Sequence, residues 1–97
     1  MFKTIVVRHP TGLQARVASE LAHLTAQFKS EIIVWKEEIR ANAKSLMGLV
    51  ALGAGEGTHL KFVFEGEDAE EALEAVYRYL VHGIRVKKNP PPNPFSL

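Results

Sequence analysis

The chain has 97 residues, 46% of them apolar, and a formal net charge of +1 from 12 basic and 11 acidic side chains. That length fits one domain with a modest core, and the charge balance gives no argument for direct nucleic-acid binding or for an anionic membrane partner. With no cysteine, a disulfide framework and a zinc–thiolate site are excluded, which suits a reducing cytosol.

Phe2 to Arg8 is rich in β-branched residues and predicts a strand. It is too short and too quickly interrupted for a signal peptide, and no run approaches a membrane span, so a cytoplasmic location is expected. His9-Pro10-Thr11-Gly12 is a turn signal. From about Gln14 the period changes: Val17, Leu21, Leu24 and Phe28, with Ala18 and Ala22 beside them, form one apolar helical face. Glu31 to Lys36 predicts a second strand. Glu37-Glu38 marks a hairpin turn of poor turn chemistry, and Ile39 to Asn42 a short third strand.

Ser45 precedes Leu46 to Leu52, a short apolar helix candidate that Gly53, Gly55 and Gly57 end. His59 to Glu65 is a half-buried strand with Leu60, Phe62 and Phe64 on one face. Asp68 followed by Glu71 resembles a capping box. The helix it opens turns Ala72, Leu73, Val76, Tyr79 and Leu80 inward, and Gly83 suits its C-cap. The order β-α-β-β-α-β-α favours an α+β sandwich, an antiparallel sheet with helices on one face. The domain spans residues 1–84. Residues 85–97 form a Pro-rich tail that continues neither a helix nor a central strand. It reads as a flexible appendage or, less simply, as a polyproline ligand.

Two segments carry a resemblance to a known family. Thr11-Gly12-Leu13-Gln14-Ala15-Arg16-Val17-Ala18 resembles the active-site motif Gly-Leu-His-Ala-Arg-Pro-Ala of the histidine-containing phosphocarrier (HPr) family. Asn42-Ala43-Lys44-Ser45-Leu46-Met47-Gly48-Leu49 resembles the segment around that family's regulatory serine. Gly66 to Ala72 fits the start of its last helix, and the match runs from about Phe2 to Leu80. The resemblance implies an open-faced sandwich of four antiparallel strands covered by three helices. It also implies a place in the sugar phosphotransferase system, where the family's histidine relays a phosphoryl group from enzyme I to a sugar-specific enzyme II. In Gram-positive relatives an HPr kinase/phosphorylase also acts on the serine, and the product is a corepressor for a LacI-type catabolite control repressor.

The chain departs from the motif twice. Gln14 occupies the phosphocarrier position, and Val17, directly after Arg16, replaces the proline. A neutral imidazole nitrogen is nucleophilic near pH 7; an amide nitrogen, its lone pair delocalised into the carbonyl, is not. The catabolite-repression HPr-like (Crh) subgroup also carries glutamine here and keeps the serine, and the chain is similar to it in both respects. The expectation is therefore a non-catalytic regulatory phosphoprotein without cofactor or metal.

Each candidate has a plainer reading beside the functional one. Ser45 is an N-cap worth about 1 kcal/mol, or the phosphorylation site, or both. Leu46, Met47 and Val50 are core, or an exposed patch that docks a partner. Arg16 is a solvated helix charge or, as the family's active-site arginine, a contact for a partner. His9 is a turn residue, or a displaced phosphoacceptor in a rival phosphoryl-transfer role. His23, His59 and His82 fall on separate elements without metal-ligand spacing. A binding module for some other enzyme, with neither site modified, is the third possibility, and the sequence carries no signal for an oligomeric state.

Overall fold

The computed structural model describes residues 1–86; residues 87–97, most of the expected tail, lie outside the described residues. Seven elements follow in order: β1 (Phe2–Val6), α1 (Ala15–Ala26), β2 (Glu31–Lys36), β3 (Ile39–Asn42), α2 (Leu46–Ala51), β4 (His59–Glu65) and α3 (Ala69–His82). The strands form one antiparallel sheet in the order β1-β4-β2-β3, and three helices cover one of its faces. This is the α+β open-faced sandwich.

Strand alternation explains the layering. Leu60, Phe62 and Phe64 of β4, with Ile32 and Val34 of β2, are fully buried, because every second side chain of a strand points to the same side. Against them lie Val17, Ala18, Leu21 and Leu24 of α1 and Ala72, Val76, Tyr79 and Leu80 of α3, all buried. Leu73, expected inside, is only partly buried at the margin of this core. β1 stops two residues earlier than the expected strand, yet Val7 keeps ladder-like bonds to Thr58 and Gly57. Glu37 takes a positive φ of 52° in the β2–β3 turn. A hairpin turn needs that conformation whatever the residue, which is why its composition is a poor turn signal.

The expected capping box does not form. Asp68 precedes α3, but its side chain makes no cap bond to that helix. Its carboxylate accepts instead from the amides of Lys29 and Ser30, at 2.8 and 2.9 Å, and from the Ser30 hydroxyl. Asp68 therefore clamps the α1–β2 loop to the start of α3, a partnership across 38 residues that local spacing does not reveal. At the other end Gly83 closes α3 at φ 70°, its amide bonded to Tyr79 O. Beyond it Val86 packs, partly buried, against the core.

Candidate functional site

The loop before α1 is fixed by Gly12. At φ 65° a side chain is strained, and a Cβ there would overlap the Ala54 carbonyl and sit 2.7 Å from Gly55 Cα. Leu13 is buried, and its amide donates to Ala54 O at 2.7 Å. These contacts deliver Gln14 to the N-cap of α1 in extended backbone, φ −76° and ψ 171°. Its carbonyl accepts from Ala18 N at 2.8 Å, while its side chain is exposed and makes no cap bond. A residue here stands in solvent beside the free amides of the first helical turn. Histidine at this position could pass a phosphoryl group; glutamine cannot. Val17, in the proline's place, is 2% exposed and faces the core.

Arg16 projects into solvent and meets Glu20 of its own helix at 3.7 Å. Glu20 accepts a hydrogen bond from the Tyr79 hydroxyl at 2.6 Å, joining α1 to α3. That bond holds the Glu20 carboxyl below its usual range; nearby Arg85, Arg16 and His9 add to the effect, and desolvation opposes it. Burial, and then the Glu20 bond, push the Tyr79 hydroxyl well above its ordinary value. Neither residue stood out in the sequence as a site residue. Helical spacing places Tyr79 inward but says nothing of a carboxylate 59 residues away.

Ser45 is the N-cap of α2, with φ −99° and ψ 117°. Its Oγ accepts from Gly48 N at 3.0 Å and its carbonyl from Leu49 N at 3.0 Å. The capping reading therefore holds, without the Glu or Gln that would complete a capping box. The preceding turn is tightly held. Asn42 Oδ1 accepts from Lys44 N at 2.9 Å, and the buried Thr25 hydroxyl of α1 donates to Ala43 O at 2.8 Å. Leu49 and Leu52 turn inward, whereas Leu46, Met47 and Val50 are 42%, 82% and 42% exposed. A six-residue helix with one apolar face inside thus shows a second apolar face to solvent beside Ser45. Arg16 pairs with Glu20 on α1 and not with a residue of α2.

His9 is half-buried in the turn after β1, with Nδ1 3.3 Å from the Thr11 hydroxyl. It lines an open hollow of about 270 Å³ against the end of α3. His23 Nδ1 lies 2.8 Å from Ser19 O on α1; His59 begins β4, and His82 ends α3 with its ring edge-on to Tyr77. Among the described residues no three His, Asp or Glu side chains are grouped to hold a metal ion. In the same residues no helix is long and apolar enough to cross a membrane.

Comparison with known proteins agrees with this geometry. A family model for the PTS HPr component phosphorylation site matches residues 2–81. The chain is 40% identical over 78 residues to the HPr-like protein Crh of Halalkalibacterium halodurans, covering 80% of this chain and 93% of that protein. It is 41% identical over 76 residues to the phosphocarrier protein HPr of Treponema pallidum, covering 78% and 86%. The crystal structure of HPr from Bacillus anthracis superposes with a TM-score of 0.80 at 39% identity, over 82% of this chain and 95% of that one. Identities of 40% and 41% do not separate a Crh protein from a phosphocarrier; the motif residue that bears on the distinction is Gln14. The chain belongs to the HPr family of the phosphotransferase system and stands close to its Crh-like members.

Proposed function

We propose that the chain is a non-enzymatic regulatory protein of carbon catabolite repression, switched by phosphate on Ser45 and not by phosphate on a histidine. HPr kinase/phosphorylase adds the phosphate. A LacI-type catabolite control repressor reads it together with the apolar patch of Leu46, Met47 and Val50 and with the Arg16 guanidinium. The observation that carries this reading is the junction at α2: a part-exposed Ser45 hydroxyl, bonded to the Gly48 amide, borders the exposed Met47. Phosphate there adds about −1.5 to −2 charges and three acceptor oxygens, which take over the Gly48 amide while the fold stays as it is. Gln14 removes the competing histidine chemistry.

One observation keeps a second reading in view. His9 sits in the turn that leads into the altered motif, its Nδ1 3.3 Å from the Thr11 hydroxyl, so an imidazole stands five residues before Gln14. In that reading the chain is a phosphoryl-transfer protein that uses His9. Intact mass after two separate incubations distinguishes the two. With HPr kinase and ATP the regulatory reading expects one acid-stable phosphate, absent in Ser45→Ala. With enzyme I and phosphoenolpyruvate it expects no gain. An acid-labile phosphate from enzyme I that disappears in His9→Ala would establish the second reading and remove the first.

A further inference from the structure

The helix-free face of the sheet is a broad surface that the switch does not use. Its residues lie in rows across the strands. In one row Glu65 of β4 is directly opposite Glu31 of β2. The next row is apolar across three strands, Phe2, Val63 and Ile33, and ends at Asn42 of β3. The third holds Lys61, Trp35 and Arg40. Phe2 is 65% exposed, with the Lys61 ammonium 4.6 Å from its ring centroid. A shallow hollow of about 200 Å³ lies between the acidic row and Trp35.

The charges on this face are segregated, not paired. Like charges directly opposite each other on neighbouring strands are unfavourable, yet Glu31 faces Glu65. Among the described residues none of Glu31, Glu65, Lys61 and Arg40 enters an ion pair. Glu65 and Lys61 are four residues apart on one strand, about 13 Å, too far to satisfy each other. The arrangement is nonetheless self-complementary. A half-turn about the middle row lays the acidic row of one copy over the basic row of another. Glu65 then stands over Lys61 of the second copy, and Glu31 is within reach of its Arg40. Phe2, Val63 and Ile33 meet their own counterparts, and the second copy's Lys61 row covers the hollow.

We propose that this face pairs with a second copy of the chain, sheet against sheet, about a two-fold axis along the Phe2–Val63–Ile33 row. The interface is isologous, so each favourable contact occurs twice, and packed sheets at about 10 Å leave room for these side chains. The face offers about a dozen residues, roughly half of a standard interface, so the dimer is a weak one. Both copies keep the helical layer, with Ser45 and Met47, directed outward, and the pair carries two switches on opposite sides.

Sedimentation equilibrium of the full chain from about 10 µM to about 1 mM, the weak end of the affinity scale, tests this. The dimer should weaken several-fold when salt is raised, because the exposed pairs are screened. Lys61→Glu should weaken it about tenfold or more, setting two like-charged pairs in place of two attractive ones. The charge swap Lys61→Glu with Glu65→Lys should restore it to within about threefold. As a check independent of any variant, the Trp35 indole resonance should shift with protein concentration in the unmodified chain. A monomer throughout the range, a dimer indifferent to Lys61→Glu, or an indole signal independent of concentration would overturn the proposal.

Discussion

Gln14 and Tyr79 show how much one side chain settles. Gln14 is exposed at the N-cap of α1, so Gln14→His introduces no clash, and its imidazole lies beside the free amides of the first turn. That variant should accept a phosphoryl group from enzyme I, slowly, as an acid-labile mass gain; a folded variant that accepts nothing would mean the surface has diverged beyond this residue. Tyr79 matters through its hydroxyl. Tyr79→Phe loses a 2.6 Å bond to a carboxylate, which should lower stability by about 1–2 kcal/mol in urea unfolding, because charge-assisted bonds contribute about 1.5–3 kcal/mol and Glu20 is partly solvated. The Glu20 carboxyl should return toward its ordinary range in the same variant. Gln14 was legible in the sequence because a motif surrounds it. The Glu20–Tyr79 bond was not, since nothing local to either residue specifies the other.

Elements were legible where their periodicity is short and their faces are one-sided. β4 buries Leu60, Phe62 and Phe64 at alternate positions, β2 reads as a strand through its run of β-branched and aromatic residues from Ile32 to Trp35, and α1 and α3 each present a single apolar stripe. The junctions were harder. Asp68 and Glu71 have the spacing of a capping box, but the Asp68 carboxylate is taken by the part-buried amide of Lys29 and the buried amide of Ser30. Asp68→Ala should therefore cost about 2–4 kcal/mol, a penalty for orphaning buried donors, whereas Glu71→Ala should change stability by less than about 0.5 kcal/mol, as for an ordinary surface site. Urea midpoints of the two variants measure the contrast, and equal losses would mean the helix cap matters after all. The α2 junction was legible twice over, as a cap before an apolar run and as a family motif. What the sequence left open was which apolar residues of α2 face solvent. The structure divides them, with Leu49 inside and Leu46, Met47 and Val50 outside.

At the scale of the whole molecule, the link between α1 and α3 sets a pH window. Glu20 has a depressed carboxyl in the folded state, so its contribution is present above the unfolded value of about 4.3 and is lost as pH falls through the lower folded one. Tyr79 is raised, so its contribution is present below the unfolded value of about 10 and declines as pH rises above it. Stability of the native chain should thus fall at both extremes, and Tyr79→Phe should soften both edges; unfolding midpoints measured from acid to alkaline pH give the comparison. The proposed switch lies apart from this link, at Ser45 before α2. Calorimetric titration of a purified catabolite control repressor with the Ser45-phosphorylated chain, the unmodified chain and phosphorylated Met47→Glu measures the switch itself. Even one new charge-assisted bond, worth about 1.5–3 kcal/mol, predicts at least roughly tenfold tighter binding of the phosphorylated form, and Met47→Glu should reverse part of that gain by placing a charge in the patch. Equal affinities for the phosphorylated and unmodified chains would contradict the account and leave Ser45 as nothing more than a helix cap.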